Sequence, residues 1–142
     1  MARVLGIDFG ERRVGLALSD PSATIAQPLP TLTRRAGKRP PIAAIIEIIQ
    51  QNDVEQAVVG LPLDLSGEET EWTRTVREFG TKLQERAGIP VDFLDERLTS
   101  VQAERAVRSV GLKRSEREQK HRIDAAAAVL LLQTYLDRRT RS

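Results

Sequence analysis

One α/β domain built on a mixed five-stranded sheet is the fold the sequence predicts, and three observations predict it. The chain opens with two apolar segments on either side of a tight turn, the second in alternation, and a run at helical spacing follows. Short apolar runs then alternate with helical stripes to the C-terminus, and 142 residues leave room for a single domain, 1–142.

Arg3 to Phe9 is the first strand, Gly10-Glu11-Arg12 a turn, and Arg13 to Ser19 a second strand in which Val14, Leu16 and Leu18 alternate with smaller residues. So short a connection makes the pair an antiparallel hairpin. A third extended segment runs from about Ile25 to Leu32, and Pro28 and Pro30, which lack an N–H, place it at a sheet edge. Pro40-Pro41 opens a helix whose Ile42, Ile45, Ile46 and Ile49 form one apolar stripe. Val54 to Val59 follows as a short strand, its Ala57-Val58-Val59 run fitting a parallel strand covered on both faces.

Ser66, with Glu69 completing a capping box, is expected to start the second helix, and Gly88 to end it. Ile89 to Asp95 is the fifth strand. Thr99 and Gln102 would cap a third helix carrying Ala103, Ala106, Val107 and Val110, which Gly111 stops. The last helix covers Ile123 to Asp137, or begins as early as Ser115, where Ser-Glu-Arg-Glu is another capping box. The order is β-β-β-α-β-α-β-α-α in a single α/β layer: three antiparallel strands, then parallel ones, flanked by helices.

A chain of this size buries roughly two-thirds of its unfolded surface, so it needs no staple to fold. Cysteine is absent and His121 is the single histidine, which excludes thiolate nucleophiles, zinc fingers, iron-sulfur clusters and disulfides. Any metal must take oxygen ligands, which favours Mg²⁺ or Mn²⁺. No signal peptide shows, and the longest apolar run, Ala125 to Leu132, is too short to span a bilayer, so a cytoplasmic protein without membrane contact is expected.

The net charge is only +2, but its distribution is uneven. From Arg97 to Arg122 there are eight basic residues against three acidic ones, and Arg34, Arg35, Lys38 and Arg39 form a second cluster, Arg138, Arg139 and Arg141 a third. Such patches suit a polyanion, or are solvated helix faces.

Three carboxylates stand where folding alone does not explain them. Asp8 interrupts the apolar strand Val4-Leu5-Gly6-Ile7-Asp8-Phe9, where an ionised group costs several kcal/mol unless paired or bound to a cation. Asp95-Glu96-Arg97 closes the fifth strand, at the sheet edge where α/β sites collect. Asp124 precedes the Ala-rich run Ala125 to Ala128, whose small side chains let a helix press on a sheet. An Asp there can also be simple dipole compensation. Together the three make sense as an ion site for phosphodiester hydrolysis, in which two divalent ions activate a water and stabilise the leaving oxygen. The flanking basic residues would hold the phosphates.

Other features remain structural. Trp72, Phe79 and Leu83, at near-helical spacing, are core rather than a base-stacking platform. No G-x-S-x-G elbow accompanies His121, and Asp64 to Glu69 lacks the alternating acids of an EF-hand loop.

Gly6-Ile-Asp-Phe-Gly10, Arg13-Val-Gly-Leu-Ala-Leu-Ser-Asp20, Val59-Gly-Leu-Pro-Leu63 before Gly67, Asp95-Glu-Arg-Leu-Thr99 and Asp124-Ala-Ala-Ala-Ala128 together resemble the YqgF (RuvX) family, in order and over nearly the whole chain. The resemblance implies a ribonuclease H-like fold and a nuclease of pre-16S ribosomal RNA maturation, a family earlier proposed to resolve Holliday junctions. It implies Asp8, Glu96 and Asp124 as catalytic and metal-binding acids using Mg²⁺ or Mn²⁺, with Asp95 as substitute or supporting partner. Substrate contacts would come from Arg12, Arg13, Arg97, Lys120 and His121. Glu11 departs from the small or hydroxyl residue the family often has after GIDFG.

Structured RNA is the expected substrate, branched DNA the alternative, with the chain a monomer or weak homodimer. Two other classes compete. A catalytically idle binding module would use the basic patches alone. An actin-like ATPase, suggested by the first motif, requires a second domain for which the chain has no room.

Overall fold

The computed structural model describes residues 2–34, 39–99 and 116–141. In chain order the elements are β1 (Arg3–Phe9), β2 (Arg13–Ser19), β3 (Ala26–Thr33), α1 (Ile42–Gln51), β4 (Val54–Leu61), α2 (Glu71–Ala87), β5 (Val91–Asp95), a 3-10 turn (Glu96–Leu98) and α3 (Glu116–Arg141). The strands form one sheet in the order β3-β2-β1-β4-β5. β1, β2 and β3 pair antiparallel, and β4 and β5 join parallel to β1, as the sequence predicts.

Gly10 N–H donates to the Arg13 carbonyl at 2.9 Å and closes the hairpin. β3 takes the edge, with Pro28 opposite Ala17. β4 runs two residues further than the apolar run implied and β5 starts at Val91.

Both faces of the sheet are covered, so the elements close as three layers. Leu5, Ile7 and Phe9 of β1, with Leu16 of β2, meet Ile42, Ile45 and Ile49 of α1 and Val76, Phe79 and Leu83 of α2. Phe9 stacks on Phe79 at 4.1 Å and on Trp72 at 5.7 Å, which places these aromatics in the core. The opposite face, Val4, Ala17, Val58 and Leu94, meets Ala128, Leu131, Leu132 and Leu136 of α3. Contact there is close because β1 carries Gly6: a Cβ on it would lie 2.7 Å from Leu132 Cβ. Tyr135 O–H donates to Asp92 at 2.5 Å and ties α3 to β5; burial and that bond push its pKa up to about 12.

α2 starts later than Ser66. Thr70 is the N-cap, its hydroxyl accepting from Thr73 N–H at 3.2 Å while Thr73 Oγ1 accepts from Thr70 N–H at 2.9 Å. Ser66 is taken by a nearer acceptor: Asp64 Oδ1 receives Ser66 N–H, Ser66 O–H and Glu68 N–H, so the segment folds as its own turn. Glu69 pairs with Arg77 at 2.8 Å instead of capping. Gly88 ends the helix in the left-handed region, φ 72°, as expected of a glycine stop.

α3 takes the earlier of its two possible starts and runs from Glu116. Thr99 is buried and its hydroxyl donates to the Glu96 carbonyl at 2.8 Å, closing the 3-10 turn. The helix expected over Ala103, Ala106, Val107 and Val110, with Gln102 and Gly111, lies outside the described residues.

Candidate active site

Strand alternation puts Val4, Gly6 and Asp8 on the α3 face of β1. Asp8 is only 2% exposed there. Its partner across the hairpin is Gly15, and on the other side Gly60 of β4 follows the Ile7–Val59 pair by one residue. A glycine thus stands on each side of the buried carboxylate.

Each glycine makes room for another acid. A Cβ on Gly15 would run into the backbone carbonyl of Asp124, and a Cβ on Gly60 would lie 2.8 Å from Glu96 Oε1. Gly15 lets α3 seat against β2, which brings Asp124 beside the strand holding Asp8. Gly60 accepts the Glu96 side chain, itself 4% exposed. Asp8, the Glu96 side chain and the Asp124 backbone therefore all lie on the α3 side of neighbouring strands. Composition showed the acids but not the two glycines, although a glycine inside a strand pattern marks a close backbone approach.

The Glu96 backbone is fixed by its neighbours. Asp95 caps the 3-10 turn by accepting Arg97 N–H at 2.9 Å, and its carboxylate takes the Arg97 guanidinium at 2.7 Å, which holds the Asp95 pKa below the usual range. The Arg97 guanidinium lies over Gly67, 2.9 Å from where a Cβ would stand. Asp95 and Arg97 thus grip each other at the side of the site.

Arg13 Nε donates to Asp124 Oδ2 at 2.6 Å, the two side chains being 28% and 13% exposed. Gly10, Glu11, Arg12, Arg13 and Asp124 line an open cleft of about 270 Å³. Arg12 is exposed at its rim. Lys120 and His121 fall in the first turns of α3, and their side chains lie outside the described residues.

An all-oxygen donor set with two carboxylates buried is what a hard divalent ion takes. Asp8, Glu96 and Asp124 fit such an ion by chemistry and by shared face. They are not yet gathered around one point: among the described residues no three acidic or imidazole side chains cluster tightly enough to hold an ion, and Asp124 is engaged by Arg13.

A β3-β2-β1-β4-β5 sheet, antiparallel over β1 to β3, parallel over β4 and β5 and covered by helices on both faces, is a ribonuclease H-like fold. Solved structures carry the same fold: RuvC of T. thermophilus in complex with a Holliday junction substrate gives a TM-score of 0.60 at 18% identity, covering 100% of this chain and 98% of that one. The fowlpox virus Holliday junction resolvase gives 0.52 at 8% identity over 95% and 97%.

Sequence narrows the class. The RuvX family, described as a Holliday junction resolvase, matches residues 2–138, and the chain belongs to it. A relative in Koribacter versatilis, named as a candidate pre-16S rRNA nuclease, is 44% identical over 96% of this chain and 88% of its own length. Another of that name in Anaeromyxobacter dehalogenans is 43% identical over 96% and 98%. The family description and the relatives' names fit a nuclease or a resolvase.

Proposed function

We propose that the chain is a Mg²⁺- or Mn²⁺-dependent nuclease that processes the 5′ end of pre-16S ribosomal RNA during ribosome biogenesis, acting in the cytoplasm as a monomer or weak homodimer. The observation that carries the activity is the pair of buried acids, Asp8 and Glu96, on the face where Asp124 enters, in a chain whose relatives bear the pre-16S rRNA nuclease name. Burying a carboxylate costs several kcal/mol unless a hydrogen-bond donor or a cation compensates it, and a divalent cation at this face would do so for both.

Asp8, Glu96 and Asp124 would hold the ion. When bound, a divalent ion lowers the pKa of water and stabilises the leaving oxygen of a phosphodiester. Asp8 would be the fixed ligand, because β1 is paired on both sides, and Glu96 would be set by the Asp95–Arg97 clamp beside it. Arg12 lies at the cleft rim, where a phosphate would arrive. Arg97, Lys120 and His121 belong to the same proposed basic surround.

Cleavage of a precursor 16S rRNA fragment and of a four-way DNA junction, in Mg²⁺ and in Mn²⁺, tests this. Metal-dependent cutting of the RNA, reduced at least 100-fold in folded Asp8→Asn, Glu96→Gln and Asp124→Asn, is expected, the size of one lost electrostatic catalytic group. Cutting of the junction alone, in paired nicks, identifies a resolvase, the reading the family description favours. Salt-sensitive binding without cutting, unchanged in the variants, identifies a binding module.

A further inference from the structure

We infer that Arg13 is a positioning residue that holds Asp124 off the shared ion site, and that a divalent cation must displace it to complete the site. This rests on the metal-dependent reading above. Arg13 stands two residues before Gly15, on the same face of β2. Gly15 is where α3 meets the strand at Asp124, so the guanidinium is delivered directly to the carboxylate that the close approach presents. The contact joins residues 111 apart in sequence, and its donor is Nε, the nitrogen nearest the stem, at 2.6 Å.

Exposure decides whether this pair is a lock or an exchangeable hold. At 28% and 13% the side chains are neither in open water, where an ion pair contributes almost nothing, nor sealed inside, where breaking it would strand a charge. A cation sitting with Asp8 and Glu96 offers Asp124 a competing positive charge. The released guanidinium remains in the cleft lined by Gly10, Glu11, Arg12, Arg13 and Asp124, an open place for a phosphate oxygen. One arginine would thus serve the acid before the ion arrives and the substrate afterwards.

Calorimetric titration of the full chain with Mn²⁺, without nucleic acid, reads the exchange directly. Removing the competitor in Arg13→Gln should tighten Mn²⁺ binding about fivefold, the scale of a partly exposed ion pair. The Mn²⁺-induced rise in Tm should grow in parallel. Arg12→Gln removes the same charge from the same cleft without touching Asp124, so it should stay within about twofold of wild type. Arg13→Met, which keeps the aliphatic stem, repeats the measurement if glutamine disturbs the fold.

Equal gains in the Arg12 and Arg13 variants would reduce the effect to general charge and overturn the inference, as would unchanged or weaker binding in Arg13→Gln. Asp8→Asn separates this from the larger reading. If it abolishes Mn²⁺ binding while Arg13→Gln leaves it unchanged, the arginine's role alone fails. If binding persists in Asp8→Asn, or wild type binds no Mn²⁺, the ion site fails and the arginine's role with it.

Discussion

Gly15 and Gly60 flank Asp8, yet substituting them should have different consequences. A methyl on Gly15 meets backbone, the Asp124 carbonyl, which moves only with the helix. Gly15→Ala should therefore cost about 1–3 kcal/mol of stability, the range for forcing atoms into a filled contact, seen as a lower urea midpoint. A methyl on Gly60 meets Glu96 Oε1 at 2.8 Å and Cγ at 3.0 Å, the movable part of a side chain. Gly60→Ala should melt within a few degrees of wild type while losing most of its nuclease activity, because Glu96 yields its position. Equal losses of stability in both variants would show that Glu96 is held as rigidly as the helix. The sequence singles out the three proposed acids, Asp8 by its apolar neighbours and Glu96 and Asp124 by motif, and the structure places all three on the α3 side of the sheet. Their glycine partners were not legible, because a missing side chain shows its purpose only when the opposing atom is known.

Local hydrogen bonding explains where elements begin and end, and why one boundary misled. Between Pro62 and Glu71 several Ser, Thr and Asp side chains compete for the same amides; Asp64 wins Ser66 and leaves the cap to Thr70. Spacing alone does not rank such competitors. Asp20 makes the equivalent turn between β2 and β3, accepting from Ile25 N–H, Thr24 N–H and Ser22 O–H. Those donors, the Ile25 amide foremost, lower its pKa from 3.8 to about 2. A depressed carboxylate stabilises the fold above its unfolded pKa and loses that effect as it protonates. The Asp20 contribution should vanish between about pH 4 and pH 2, so urea midpoints across that window should fall less in Asp20→Asn than in wild type. Parallel falls would remove Asp20 from the acid response.

For the molecule as a whole, the antiparallel pairing of β1 with β2, the edge position of β3 and the parallel setting of β4 were legible in the hairpin turn, the prolines of β3 and the apolar run of β4, whereas the order of the strands across the sheet was not. The three-layer closure was less legible. The apolar stripe of α3, Ala128, Leu131, Leu132 and Leu136, occupies the later part of the helix, and which sheet face it covers is recognised only through the small residues Gly6 and Ala17 that let it approach. No helix among the described residues is long and apolar enough to cross a membrane. Lys120 and Arg122 fall near one end of α3 and Arg138, Arg139 and Arg141 near the other, and phosphate contacts made by these residues would make nucleic-acid affinity a counterion-release effect. Affinity should fall linearly with the logarithm of salt concentration, and Lys120→Ala should reduce that slope by about 1. A slope identical to wild type would take Lys120 out of the phosphate contacts.

The alternation of β1 also bears on how the chain finds its pairing. Leu5, Ile7 and Phe9 point into the layer beneath α1 and α2, and Asp8 points the other way. Sliding β1 by one residue against β2 and β4 would drive Asp8 into that hydrocarbon layer and present Phe9 to the helix that needs glycine beneath it. Such a misaligned sheet would bury an unsolvated carboxylate at a cost of several kcal/mol. The residue proposed to bind the ion thus also proofreads strand register, so replacing it by leucine would remove a charge and license a wrong alignment.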